Sequence, residues 1–426
     1  MRTKNSILHL LTASLFLMTF FFGKAEAIYD PTTVELARMF GKDIFEMNGT
    51  AYLQPMVQAL NATSNSRFFN SAFVPFEVEK PYFKFSLNAM VGFVPEDQKT
   101  YIPKMPMEEF DLGKMGNYVD FTLFPPAVTN IKDTAGLMYY ALKSIIYNGV
   151  KDGSIKVPGK AATILGNQQT SFNLPHNVME SLVRNHPVFP LLPKSMQDSL
   201  LKSVANFPES FTLPPGANFN TLFAGIPQLE IGSLWGTEAL IRFIPRIDMG
   251  SNIGKFMFWG FGLKHCISQD FEDFPLDLAV QVVYQGTSLK NTIGVTNAEL
   301  EADGTFWDIN IHASKHFEDI IDVYTGFSFD FMNIKSKYKY FIPVETQWQL
   351  GLLRKDTVNG VEVINPPEPE LGYPGDTKPQ TANMLLEDSN FKWVIGVMRR
   401  FGPVAIYLDY NWSKFSIFTA GLQVTI

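Results

Sequence analysis

Residues 415–426, FSIFTAGLQVTI, alternate between two kinds of side chain almost without a fault. The apolar face contains Phe418, Ala420, Leu422, Val424 and Ile426, and the other, mostly smaller or more polar, contains Ile417, Thr419, Gly421, Gln423 and Thr425. A strand about ten residues long with one apolar side is typical of an outer-membrane β-barrel. Because a soluble antiparallel sheet gives the same alternation, the rest of the sequence has to decide.

Residues 1–27 have the composition of a secretory signal peptide. Arg2 and Lys4 supply a basic start, residues 7–22 are mostly apolar, and residues 25–27 (AEA) form an A-x-A cleavage site. The apolar run is short for a membrane-spanning helix, which favours a cleaved signal over an uncleaved anchor. The sequence therefore predicts export.

The composition argues against several classes of protein. Beyond the signal, no uninterrupted apolar run is long enough for a spanning helix, so a membrane location would require a barrel. The formal net charge of -7 argues against nucleic-acid binding, which needs a basic surface. The single cysteine, Cys266, rules out an intrachain disulfide. Aromatic residues make up 14% of the chain, as expected if strands alternate aromatic outward with polar inward.

Period-two stripes recur at residues 81–94 and from residue 227 onward. A weak stripe lies at 68–76 and a clear one at 118–124. The sequence predicts about twelve strands, or about fourteen if the region 96–226 contributes a pair. The predicted fold is all-β: a transmembrane antiparallel β-barrel of about 12–14 strands, spanning residues 65–426.

Two further segments fall outside the strand pattern. Residues 28–64 carry apolar side chains at roughly helical spacing and predict a helical N-terminal segment. Residues 355–388 are irregular and rich in proline, and they predict a surface loop. Strand direction, counted back from the carboxyl end, puts that loop outside the cell.

The region 96–226 is too long for a plain loop. It is rich in proline and glycine and contains two helical stretches, so it predicts a helix-containing insertion. This insertion is either a lid or plug on or in the barrel, or a small separate domain. The lid or plug is favoured because Pro187, Pro190 and Pro193 fragment the helices and leave little for an independent core.

The two faces of the predicted strands carry different side chains. The polar candidates for the lumen are Glu230, Glu238, Arg242, Lys264, Asp308, His312, His316, Asp322, Asp330 and Asp409. The aromatic candidates for a lipid-facing belt are Trp259, Trp307, Trp393, Tyr410 and Trp412. The two histidines, with three of the aspartates, are of the type that binds metal ions. Structural packing of polar side chains in the lumen is the favoured interpretation, so neither a metal nor a cofactor is predicted.

Several motifs resemble an uncharacterised family of exported outer-membrane barrels in Gram-negative bacteria. They are LPPG at 213–216, IPQLEIG at 226–232, GTEALIRFIP at 236–245 and GFGLKH at 260–265. The resemblance runs from about residue 50 onward, and its motifs are structural rather than catalytic. More distantly, the layout is similar to the long-chain fatty acid transporters of the outer membrane. That resemblance implies passage of hydrophobic molecules past an N-terminal hatch, but no ligand-contacting motif can be matched residue by residue.

The first functional hypothesis is an outer-membrane channel or transporter, porin-like, for small hydrophobic solutes. The alternative is a structural or partner-binding barrel with a filled lumen. An outer-membrane lipase comes third, since the sequence contains no G-x-S-x-G elbow, Gly-rich phosphate loop or H-E-x-x-H motif. The expected partners are outer-membrane lipid, the barrel assembly machinery and a hydrophobic small-molecule ligand, and not nucleic acid.

Overall fold

The computed structural model describes residues 29–68, 70–123, 126–248, 254–271, 273–293, 298–317 and 320–426. The predicted signal peptide lies outside these described residues.

Antiparallel strands close into a barrel, which contains ten strands within the described part of the chain. In chain order they are β1 Tyr82–Phe93, β2 Thr221–Leu234, β3 Thr237–Asp248, β4 Lys255–Cys266, β5 Asp277–Ile293, β6 Ala298–Phe317, β7 Ile321–Tyr340, β8 Gln380–Phe401, β9 Val404–Trp412 and β10 Ile417–Thr425. Each strand pairs with its neighbours in this order, and β10 pairs with β1 to close the wall. The predicted antiparallel barrel is confirmed.

The predicted strand number, about 12–14, was too high. Two of the stripes that were counted do not belong to the wall. Residues 68–76 form no strand where they are described, and the segment Val119–Leu123 pairs with Pro126–Ile131 in a separate two-stranded sheet. Alternation identifies a strand but does not say which sheet the strand joins.

The strands of the wall are strongly staggered. Following paired residues around the outer face gives one row: Val404, Val424, Phe85, Leu229, Ile241, Phe261, Tyr284, Trp307, Phe331 and Ser389. The row starts at Val404, which pairs with Phe401 on β8, and it reaches β8 again at Ser389. One circuit of the barrel therefore shifts the row by twelve residues along β8. With a strand tilt of about 40°, this stagger makes the row climb about 30 Å in one circuit.

The two ends of the barrel differ in the length of their connections. At one end, which we call the turn end, residues 235–236, 267–276, 318–320 and 402–403 join the strands. At the other, the cap end, the connections are 94–220, 249–254, 294–297, 341–379 and 413–416. The row of paired residues climbs from the turn end toward the cap end, because β8 runs from the cap end at Gln380 to the turn end at Phe401.

The described residues contain four longer helices: α1 Pro31–Ser64, α2 Thr134–Asp152, α3 His176–Arg184 and α4 Lys194–Asn206. Helix α1 leads from the cap end into the lumen, and the other three lie at the cap end. Shorter helical turns are Glu96–Gln98, Leu112–Met115, Phe189–Leu191, Ile267–Asp270, Val344–Gln349 and Pro369–Leu371. Further two-stranded pairs are Thr100–Tyr101 with Ala161–Ala162, Ser171–Asn173 with Ser210–Thr212, and Lys355–Val358 with Val361–Ile364. None of the described helices combines the length and apolar character that a membrane span requires.

The connection 94–220 forms a domain at the cap end, which we call the cap. Its hydrophobic core also includes the first half of α1 and residues of the connection 341–379. The expectation that prolines leave little for such a core was wrong. Pro187 and Pro190 lie in the link between α3 and α4, and Pro193 is the residue before α4 begins, so none of the three interrupts α3 or α4.

The predicted loop 355–388 also needs correction at its end. Residues from Gln380 onward belong to β8, which pairs with β7 over residues 380–399. The irregular part of this connection therefore stops before β8, and it includes the small hairpin of Lys355–Val358 and Val361–Ile364.

We expect deletion of Val424–Ile426 to prevent barrel assembly. Val424 pairs with Phe85 and Val404, while Ile426 exchanges two main-chain hydrogen bonds with Phe83, of 2.8 and 3.0 Å. Without them, main-chain groups at the closing seam would face lipid unpaired, at a cost of several kcal/mol each. The measurement is the amount of heat-modifiable protein in the outer-membrane fraction.

A matched control deletes Asn359 and Gly360 at the exposed tip of the small hairpin, which should leave assembly unchanged. Normal membrane levels of the protein without Val424–Ile426 would contradict the prediction.

Candidate functional site in the barrel lumen

A segment of chain without helix or strand runs through the lumen from the cap end to the turn end. We call residues 65–76 the plug segment; Phe69 lies outside the described residues. It begins where α1 ends at Ser64. At the turn end, the carbonyl of Phe76 accepts from Gly236 N–H at 3.2 Å, and that of Pro75 accepts from the Ser233 hydroxyl. The side chains of Asn65, Ser66, Arg67, Phe68, Asn70, Ser71, Ala72 and Val74 are buried.

Arg242 on β3 holds the start of the plug segment. Its guanidinium donates to the carbonyl oxygens of Ser64 and Ser66, at 2.7 Å each. It also reaches the carbonyl oxygen of Arg67 at 3.2 Å and lies 4.1 Å from the ring centre of Phe68. Arg242 is 1% exposed, so each of these bonds replaces water that the cation has lost.

Two buried lysines bind the plug segment in the same way. Lys392 on β8 donates to the Asn65 carbonyl at 2.5 Å and lies 2.9 Å from Asp330. Lys264 on β4 donates to Asn70 Oδ1 at 2.7 Å. Arg242, Lys264 and Lys392, which we call the wall cations, thus fix the plug segment along its path.

Acidic side chains of the wall balance these cations. Glu238 lies 2.7 Å from Lys264 and also contacts Lys84. Glu230 accepts two hydrogen bonds from Asn70 Nδ2, of 2.8 and 2.9 Å. A buried ion pair is retained only when its remaining polar atoms are also satisfied, and here the plug segment supplies many of those partners.

Aspartates of the wall form a second group beside the plug segment. Asp330 accepts from the Ser328 hydroxyl at 2.6 Å, and the same hydroxyl contacts Asp308. Asp308 also accepts from Asn310 Nδ2 at 2.5 Å. This group connects to the wall cations through Lys392.

Arg67 of the plug segment lies against aromatic rings of the wall. Its guanidinium carbon is 3.5 Å from the ring centre of Tyr407 and 5.9 Å from that of Tyr324. The hydroxyl of Tyr324 donates to Asp409 at 3.2 Å. The plug segment is therefore bound by ring faces as well as by charges.

Nine of the ten polar candidates from the sequence are buried on the inner face: Glu230, Glu238, Arg242, Lys264, Asp308, His312, Asp322, Asp330 and Asp409. His316 is partly exposed near the turn end, where it contacts Asp322. Asp322 also lies 2.7 Å from Arg400. His312 lies apart from His316, and its Nδ1 is 3.1 Å from Asn310 Oδ1.

The histidines and aspartates suggested as metal ligands therefore do not share one place. Among the described residues, no group of three or more His, Cys, Asp or Glu side chains converges in the way that a metal site requires. Their partners are Ser, Asn, Lys and Arg side chains, which is the chemistry of a packed polar interior.

The five belt candidates lie on the outer face of the wall. The rings of Trp393 and Trp412 stack with centres 5.7 Å apart, and Tyr410 meets Trp412 edge-on at 5.1 Å. Trp259 and Trp307 both contact the ring of Tyr284, at 5.5 and 4.4 Å. Clustered Trp and Tyr rings on the outer face of a barrel are typical of the boundary between its apolar band and water.

Sequence reasoning did not find the plug segment. Asn65, Ser66 and Asn70 are short polar residues, and they are buried only because the wall surrounds them. Gln285 was also missed, although its amide donates to the Ser64 carbonyl at 3.2 Å and to Asn65 Oδ1 at 2.7 Å. The available signal was the long buried face of polar residues in the wall, which needs partners in the lumen.

Comparison with solved structures gives similarity to barrels of two bacteria. One is the attachment invasion locus protein Ail of Yersinia pestis, at 9% identity over 45% of this chain and 93% of that one, with a TM-score of 0.20. Another is the translocator domain of the autotransporter NalP from Neisseria meningitidis, at 8% identity over 90% of this chain and 98% of that one, with a TM-score of 0.23.

No curated protein matches the sequence. The suggested similarity to fatty acid transporters therefore stays a prediction. A family model matches residues 3–426, and the chain belongs to that family, a family of unknown function (DUF6588).

Proposed function

We propose that the protein is an outer-membrane barrel that is closed by its own plug segment and that presents the cap at the cell surface. The observation that carries the proposal is the hydrogen bonding of the wall cations to the plug segment inside the lumen. This is the filled-lumen alternative from the sequence, in which the barrel acts as anchor and scaffold for the cap.

The outer face of the barrel supports insertion in a membrane. Phe85, Leu263 and Leu408 are each more than half exposed, although large apolar patches are rare on soluble monomers. The row of paired residues stays apolar from Val404 to Phe331 and becomes polar at Ser389. By Phe331 it has climbed about 25 Å, which is the height of the apolar band of outer-membrane barrels.

The connection lengths support the orientation. Outer-membrane barrels have short turns on the periplasmic side and longer loops outside. The cap and the connection 341–379 both leave the barrel at the cap end, so this end is assigned to the cell surface and the turn end to the periplasm.

Transport of small hydrophobic solutes stays a second hypothesis. A solute could pass only if the plug segment moved, because the wall side chains around it have almost no exposure. Moving it would break the hydrogen bonds from the wall cations to the plug segment, and a hydrogen bond to a charged group contributes about 1.5–3 kcal/mol.

A lipase receives no support from the serine and histidine that meet in the cap. Ser144 Oγ lies 3.0 Å from His186 Nε2, and both residues are buried. Burial lowers the pKa of His186, so the imidazole is neutral near pH 7. His186 Nδ1 accepts from Val188 N–H at 3.3 Å, which puts the proton on Nε2. That nitrogen then donates to Ser144 and cannot act as its base.

We expect the protein in planar lipid bilayers to conduct no steady ion current, and Arg242→Ala to produce channel openings. Loss of a buried cation that binds the plug segment at three carbonyls should destabilise the closed state by about 3 kcal/mol or more, because each buried carbonyl left without a donor costs about 1–3 kcal/mol. The population of the open state should rise about 100-fold or more. The measurement is single-channel current at fixed voltage.

Arg246→Ala is the matched control, because Arg246 is an exposed arginine on the same strand. It should leave the current unchanged, and both variants should keep their heat-modifiable mobility on a gel. A steady current through the unaltered protein would show that the plug segment does not close the lumen.

We expect a membrane-impermeant thiol reagent to label Lys156→Cys in intact cells and to leave Lys80→Cys unlabelled. Both lysines are exposed, but Lys156 is in the cap and Lys80 is at the turn end, just before β1. The native Cys266 is fully buried and should contribute no background. Both variants should be labelled after the cells are lysed. The reverse pattern in intact cells would overturn the assigned orientation.

A further inference from the structure

A groove lies on the outer surface where β8 extends beyond its neighbour. β8 has 22 residues and β9 has nine, so residues 380–392 of β8 pair only with β7. Helix α1 covers this free edge, and Gln54 Nε2 donates to the Glu387 carbonyl at 2.8 Å. Between the helix and the outer wall remains a cavity of about 550 Å³. This volume is in the range that holds one small ligand.

The floor of the groove is apolar and lies at the edge of the apolar band. It contains Trp307 and Phe331, which are 47% and 48% exposed. These residues are the seventh and eighth steps of the row that climbs from Val404. Both rings are therefore about 20–25 Å above its start, near the cap-end boundary of a band about 25 Å tall.

The upper part of the groove offers hydrogen-bond acceptors. Gln58 Oε1 is buried in it and accepts no hydrogen bond from the described residues. The carboxylate of Glu387 lines the groove and is exposed, with one oxygen bound by Asn333 Nδ2 at 3.0 Å. A buried acceptor without a donor costs about 1–3 kcal/mol, so a ligand that supplies the donor would be bound.

The lysine that lines the groove is already neutralised. Lys414 Nζ lies 2.7 Å from Asp388 Oδ1 and donates to the Ser389 carbonyl at 2.6 Å. The other oxygen of Asp388 accepts from Asn61 Nδ2 at 2.8 Å. Because Lys414 is paired to Asp388, the carboxylate of Glu387 gives the lining of the groove a net negative charge. The groove therefore favours a cationic head group that carries hydrogen-bond donors.

We infer that this groove binds one membrane amphiphile with a primary ammonium head group. The ammonium donates to Gln58 Oε1 and to the Glu387 carboxylate, and the acyl chain lies across Trp307 and Phe331. This inference rests on the proposed membrane insertion of the barrel.

The test is fluorescence quenching in reconstituted vesicles. The protein is placed in phosphatidylglycerol bilayers with a minor fraction of either phosphatidylethanolamine or phosphatidylcholine, each with brominated acyl chains. Both head groups are zwitterionic, but only phosphatidylethanolamine has N–H donors. The emission of Trp307 is obtained as the difference between the protein and its Trp307→Phe variant, and bromine quenches it on contact.

Brominated phosphatidylethanolamine should bind beside Trp307 about tenfold more tightly than brominated phosphatidylcholine, the factor expected for a hydrogen bond to a charged group. Glu387→Gln and Gln58→Leu should each reduce this preference severalfold. Glu301→Gln removes an exposed carboxylate on β6 outside the groove and should leave the preference unchanged. At Trp393, measured in the same way with Trp393→Phe, the two lipids should quench equally.

Equal quenching by the two lipids at Trp307 would overturn the inference and leave membrane insertion standing. A preference that survives both groove variants would also overturn it. Absence of quenching at Trp307 and Trp393 alike would mean that the barrel is not in the bilayer, and the proposed function would fail first.

Discussion

Hydrogen bonds from the wall cations to main-chain carbonyls of the plug segment are the interaction on which the rest of the structure depends. The last carbonyls of a helix have no partner within the helix, and they form its negative end. Helix α1 ends inside the barrel, where water is excluded. Arg242 and Lys392 therefore supply the hydrogen-bond donors that solvent supplies at other helix ends. They bind the carbonyl of Ser64, at the end of the helix, and those of Asn65 and Ser66 just after it. Without them, neither the helix end nor the plug segment could be buried.

The size of the barrel and the plug segment require each other. A barrel of about eight strands has an interior that side chains alone can fill, and the diameter grows with strand number. Ten strands leave additional room, and one chain with short side chains such as Asn65, Ser66 and Ala72 occupies it. The wall is polar on its inner face for the same reason, because a chain without helix or strand brings its own unpaired carbonyls and N–H groups.

The sequence predicted the wall because each wall residue obeys a local period. Glu238, Lys264 and Asp330 could be assigned to one face simply by counting in twos. The plug segment has only a weak period-two stripe, at residues 68–76, and its burial comes from strands that are distant in the chain. Arg67 illustrates this point, because nothing near it in sequence indicates the ring of Tyr407 beneath its guanidinium.

Two predictions from the sequence were wrong for similar physical reasons. The cap was not expected to have a core, because proline was taken to interrupt helices, whereas Pro193 stands at the start of one. The first residues of β8 were assigned to a loop because proline-rich sequence precedes them. Their strand structure depends on pairing with β7, and pairing between strands is not visible in a single segment.

Helix α1 connects the three parts of the molecule that a function would use. Its first half belongs to the core of the cap, where Phe40 contacts the rings of Phe207 and Phe211 with centres 5.8 and 4.7 Å away. Further along, Gln54 covers the free edge of β8. Its last residue, Ser64, leads into the plug segment. At a rise of about 1.5 Å per residue, this helix of 34 residues is about 50 Å long. Because this one helix joins the cap to the plug segment, the plug segment cannot leave the lumen toward the cap end unless the cap moves or the helix bends.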